Sequence, residues 1–121
     1  MDLYREEIID HYKNPRNFGE LADFDFHTFE VNTLCGDNME IFIKVNKNKI
    51  IDIKFRSVGC AISMAAASMM TETLKGQDIK KIAKVDEDFM LKLLGGEISP
   101  ARKKCAFLPL QALRKATIKL K

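Results

Sequence analysis

Between Met39 and Arg56 the chain repeats one pattern twice, and that repeat restricts the fold more than any other feature. Apolar Met39, Ile41, Ile43 and Val45 alternate with Glu40, Phe42 and Lys44; then Ile51, Ile53 and Phe55 alternate with Asp52, Lys54 and Arg56. A period of two sends successive side chains to opposite faces, so each run predicts a strand with one buried face. The intervening Asn46-Lys47-Asn48-Lys49 is short and turn-forming, which predicts an antiparallel hairpin. Upstream, residues 24–33 are aromatic and β-branched, but their alternation slips near Thr28, predicting a bulged third strand beside the hairpin.

After Gly59 the period changes. Cys60-Ala61-Ile62-Ser63-Met64-Ala65-Ala66-Ala67-Ser68-Met69-Met70 is small or apolar all round and stops near Gly76. A helix without a polar face is buried on most sides, so this one should lie against the sheet. An amphipathic helix is expected over residues 2–13, with Asp2 as its cap, followed by an ordered turn, Asn14-Pro15-Arg16-Asn17-Phe18-Gly19. Two short helices follow, capped by Asp78 and Asp86, the second closed by Gly95-Gly96. A last helix is expected from about Ala106, carrying Phe107, Leu110, Leu113 and Thr117 on one stripe, with Pro109 in its first turn. Strands followed by helices predict an α+β fold: a small antiparallel three-stranded sheet covered by helices. With 121 residues, 46% of them hydrophobic, there is material for one core, and residues 1–121 read as a single domain.

Composition narrows the function classes. Twenty basic and 17 acidic residues give a net charge of +3, mild and interspersed, so no nucleic-acid surface is expected, although an acidic protein partner is compatible. The opening Met1-Asp2-Leu3-Tyr4-Arg5-Glu6-Glu7 carries acids where a signal peptide needs a basic region, and no apolar run is long enough to span a bilayer. A cytoplasmic protein with no membrane association is the expectation. The three cysteines cannot all pair, and in a reducing compartment separated thiols are free, metal-bound or catalytic.

Cys60 and Cys105 are placed at expected helix mouths, where unpaired amides favour the thiolate. Cys35 opens Cys35-Gly36-Asp37, in which a glycine turn could aim a sulfur and a carboxylate at one centre. Cys35, Asp37, Cys60 and Cys105 together would make a tetrahedral set acceptable to zinc or to the irons of a cluster. A divalent metal would leave about two negative charges on such a set, so the adjacent Arg102, Lys103 and Lys104 are candidate tuning or docking cations, or only a solvated face. With no C-x-x-C pair the spacing forces nothing together, and buried core cysteines remain the alternative. His11 and His27 lack partners at metal-binding spacing, and Met64, Met69 and Met70 read as core.

The ordered set Asp10-His11-Tyr12-Lys13-Asn14-Pro15-Arg16-Asn17-Phe18-Gly19, Cys35-Gly36-Asp37, Gly59-Cys60-Ala61-Ile62-Ser63, Lys75-Gly76 and Cys105 resembles the iron-sulfur scaffold family that includes IscU, SufU and the N-terminal domain of NifU. The resemblance covers almost the whole chain. It implies an α+β fold and a scaffold that receives persulfide sulfur from a cysteine desulfurase, builds a [2Fe-2S] cluster and transfers it to apo proteins. It also implies that Cys35, Cys60 and Cys105 hold the cluster or a zinc ion, with Asp37 as the further ligand. Cys35 and Cys105 are the implied persulfide acceptors, the first in SufU-like and the second in IscU-like members. The alternative is a zinc-dependent sulfurtransferase that relays the sulfur. Lys104 stands where IscU-like members carry a histidine, and Pro100-Ala101-Arg102-Lys103-Lys104-Cys105 looks SufU-like, yet the insertion SufU-like members carry before it is absent. The chaperone-recruiting Leu-Pro-Pro-Val-Lys motif is reduced to Ile98-Ser99-Pro100-Ala101-Arg102, so chaperone dependence is not carried over.

Overall fold

The computed structural model describes residues 3–32, 36–96 and 98–118, which leaves Met1, Asp2, Thr33 and Cys35 of the residues discussed above outside it. Helix α1 (Leu3–Lys13) precedes strands β1 (Phe26–Val31), β2 (Asn38–Asn46) and β3 (Lys49–Val58). Helix α2 (Ala61–Leu74), a short 3-10 helix (Ile79–Lys84), α3 (Glu87–Leu93) and α4 (Pro100–Ala116) complete the order. The sheet runs β1-β2-β3, antiparallel throughout. Its inner face is carried by Met39, Ile41 and Ile43 on β2 and by Ile53 and Phe55 on β3, all fully buried against α2 and α4.

The hairpin turns through Lys47 and Asn48, with φ of 52° and 66°. Positive φ at both central residues is the two-residue turn whose twist matches paired strands. The bulge is not in β1, where Phe26 to Val31 pair with Ile43 to Asn38 in unbroken register. Near Thr28 only the chemistry slips: Thr28 faces the core and Phe29 faces out. The register shift lies instead between Lys44 and Val45, so Val45 pairs with Ile50. That extra residue corrects the expected inward set, because Ile50 is fully buried and Ile51 is exposed.

Ten of the fourteen residues of α2 are buried, as an all-apolar helix requires. The two capped helices form as read: Asp78 accepts from the Lys80 amide at 2.9 Å and Asp86 from the Phe89 amide at 2.8 Å. The last helix starts earlier than expected. Pro100 occupies its first turn, and Pro109 lies inside it. Pro100 fills the preorganised N1 role that the sequence reading gave to Pro109.

The segment from Asn14 to Gly19 is ordered by hydrogen bonds to two neighbouring elements. Asn17 O accepts from Phe55 N at 3.0 Å, and Gly19 N donates to Phe55 O at 2.9 Å, which covers the edge of β3. Ser68 Oγ on α2 accepts from Arg16 N at 2.8 Å and meets His11 Nδ1 at 2.7 Å. His11 is thus a buried, hydrogen-bonded structural group. His27 pairs with Glu40 on the outer sheet face, beside Phe24 and Phe42. Among the described residues no helix is long and apolar enough to cross a membrane.

Candidate metal centre

Three of the four expected ligands converge. One ligand atom each from Asp37, Cys60 and Cys105 lies within 4.8 Å of the others, although the residues come from the loop before β2, the start of α2 and the body of α4. Cys35, the fourth, falls outside the described residues. Its neighbour Gly36 has φ of 77°, a left-handed conformation that glycine adopts without strain. The loop is closed on both sides of that glycine: Asn32 N donates to Asp37 O, and Gly36 N donates to Asn32 O, each at 2.8 Å.

Asp37 is held over the start of α2. Its Oδ2 accepts from the Cys60 amide at 3.4 Å and lies 3.8 Å from Cys105 Sγ. Gly59 makes this approach possible, because a Cβ there would stand 3.1 Å from Asp37 Cγ and 3.2 Å from Oδ2. The sequence reading missed that role; the signal was a glycine directly before the helix-capping cysteine.

Cys60 is the exposed N-cap residue of α2, as its position before an apolar helix implied. Burial opposes its ionisation, but hydrogen bonds from the Ser63 amide and hydroxyl, from Cys105 and from the Ile62 amide outweigh it and hold the thiol below its ordinary value. Cys105 corrects the reading that placed it at a helix mouth. Because α4 begins at Pro100, Cys105 sits in its second turn, away from the unpaired first amides. Burial, then the hydrogen bond to Cys60, then the charges of Cys60 and Asp37 push its thiol up to about 12. In the metal-free chain Cys60 therefore ionises first, while Cys105 keeps its proton. A bound cation would offset the cost of ionising both thiols by neutralising the anions it gathers. Arg102, Lys103 and Lys104 are exposed on the first turns of α4.

Ser63 was also missed by the sequence reading. It is fully buried, with its Oγ 3.6 Å from Cys60 Sγ and 3.1 Å from the Cys105 carbonyl oxygen, to which it donates. The donor set suits a soft or borderline cation, with one hard oxygen among sulfurs. One side is open, since Cys60 reaches solvent.

Known proteins carry the same fold and related sequences. Residues 3–121 match the family model described as the NifU-like N terminal domain. The chain is 40% identical over 116 residues to iron-sulfur cluster assembly scaffold protein IscU 1 of Archaeoglobus fulgidus, covering 96% of this chain and 75% of that protein. It is 39% identical over 134 residues to zinc-dependent sulfurtransferase SufU of Bacillus subtilis, covering 97% of this chain and 90% of that protein. Among solved structures, a SufU from Fervidobacterium islandicum, described as an iron-sulfur cluster assembly scaffold protein for the SUF system, matches with a TM-score of 0.75 and 28% identity. That match covers 92% of this chain and 93% of the other. The α+β architecture and the sequence agree, and the chain belongs to the NifU-like N-terminal domain family.

Proposed function

We propose that this chain, acting as one domain over residues 1–121, is an iron-sulfur cluster assembly scaffold. The carrying observation is the convergence of Asp37, Cys60 and Cys105 within 4.8 Å from three separate parts of the fold. Cys35 completes the set in this reading. The [2Fe-2S] cluster is cargo: a site with one hard carboxylate among thiolates, and with Cys60 at the surface, holds it loosely enough to pass it to apo proteins.

Sulfur arrives from a cysteine desulfurase. A thiolate of this chain attacks the outer sulfur of the desulfurase persulfide, the S–S bond breaks, and the desulfurase cysteine leaves as thiolate. Of the two implied acceptors, Cys35 and Cys105, the raised Cys105 thiol favours Cys35 in the metal-free chain. Free thiols fit a cytoplasmic setting, where they stay reduced.

A second reading, the zinc-dependent sulfurtransferase, is favoured by Lys104 and by the similarity to the Bacillus subtilis protein. Anaerobic reconstitution with iron, cysteine and a desulfurase, followed by absorption spectroscopy and metal analysis, separates the two. A labile chromophore with iron and sulfide bound supports the scaffold. Stoichiometric zinc with no cluster under any loading condition, together with a stimulated desulfurase, replaces it with the sulfur relay.

A further inference from the structure

In an α-helix each carbonyl accepts from the amide four residues on. The amide that should serve the Cys105 carbonyl belongs to residue 109, which is proline. Pro109 has no N–H, and its ring crowds the carbonyl four residues back, yet α4 continues through it to Ala116. The missing partner comes from another helix. Ser63 Oγ, fully buried on α2, donates to the Cys105 carbonyl at 3.1 Å.

We propose that Ser63 is a positioning residue for the metal centre, its hydroxyl locking α4 to α2 through the carbonyl that Pro109 leaves free. This rests on the site reading above and adds a reason for the relative placement of its two helical ligands. Ser63 lies one turn after Cys60 and bonds to Cys105 itself, so one side chain sets the spacing of both sulfurs. The lock's donor is a hydroxyl and its acceptor a backbone carbonyl. Proline within a helix is normally a defect; here it removes the ordinary partner of an acceptor to which the neighbouring helix supplies a donor.

The test is a double-mutant cycle with Ser63→Ala, Pro109→Ala and the pair, read in two ways. In metal-free protein, Ser63→Ala orphans the Cys105 carbonyl and lowers the folding constant about tenfold. With Pro109→Ala present, the restored amide takes that carbonyl, so adding Ser63→Ala lowers the constant less than about twofold. In cobalt(II)-loaded protein, Ser63→Ala alters the d–d and sulfur charge-transfer bands and weakens binding about tenfold with either residue at 109, because the link between helices is lost in both. Additive stability effects, or an unchanged cobalt spectrum and affinity, overturn the proposal. Absence of cobalt binding by the unmodified chain removes the site reading and the positioning role with it, while the metal-free cycle still reports whether the carbonyl lock exists.

Discussion

Replacing Gly59 by alanine probes the metal centre without substituting a ligand. The new Cβ would stand 3.1 Å from Asp37 Cγ, 3.2 Å from Oδ2 and 3.3 Å from Asp37 Cβ, all inside the ordinary contact distance. Asp37 cannot retreat as a whole, because its carbonyl is tied to Asn32 N at 2.8 Å. The carboxylate must therefore rotate or shift by a few tenths of an ångström, loosening its bond to the Cys60 amide. Gly59 itself has no left-handed φ, so alanine brings no backbone strain, and global stability should stay within about 1 kcal/mol of the original. Disturbing a group that orients a ligand typically costs 10- to 100-fold in metal affinity, so a loss of about tenfold in zinc affinity is expected. Competition against a chromophoric chelator measures the affinity, and urea unfolding measures stability. In an Asp37→Ala background the Gly59→Ala effect on affinity should shrink, since the carboxylate contacts are gone and only the one to Cβ remains. Unchanged affinity in the single variant, or an equal loss in both backgrounds, would refute the reasoning.

The thiols should differ in reactivity: in metal-free protein near neutral pH, iodoacetamide should label Cys60 several-fold faster than Cys105, read by peptide mass spectrometry, and equal rates would contradict the opposed shifts. The hairpin bulge makes Ile50→Ala cost about 2–5 kcal/mol of stability while Ile51→Ala costs under about 1, and similar losses on denaturant unfolding would place the bulge elsewhere. His11 is held below its ordinary 6.5 by burial and by Arg16, against the pull of Glu72, Asp10 and Glu7. The unfolded chain therefore takes up this proton first, so stability falls as pH drops through about 6.5 toward the lower folded value. His11→Gln should shrink the stability lost between about pH 7.5 and 5.5, and an unchanged loss would exclude His11 as a contributor.

Much of the fold is legible because local patterns and tertiary packing agree. The alternation of Met39 to Val45 and the apolar surround of residues 60–70 each leave one way to bury their side chains. The errors arise where one residue carries two meanings. Thr28 breaks the apolar alternation but is small enough to sit inside, so a chemical slip looked like a geometric one. Ile50 and Ile51 are chemically identical, and only the register shift at Lys44 and Val45 decides which faces the core. Pro109 suggested a first turn because an interior proline is costly, and the compensating Ser63 hydroxyl is distant in sequence. For the site, Asp37, Cys60 and Cys105 were identifiable by residue type and by family resemblance, but their convergence is a property of the packed sheet and helices. Gly59 and Ser63 are not ligand types, so their roles at the site show only in the packed geometry.

The central claim is that Asp37 keeps a bound cluster transferable. Its most direct test is the rate at which reconstituted protein passes its [2Fe-2S] cluster to an apo ferredoxin, compared between the natural chain and Asp37→Cys. Substituting a fourth thiolate for the carboxylate should leave a cluster of the same type bound and slow its transfer at least about tenfold. Equal transfer rates from the two proteins would contradict the role assigned to Asp37.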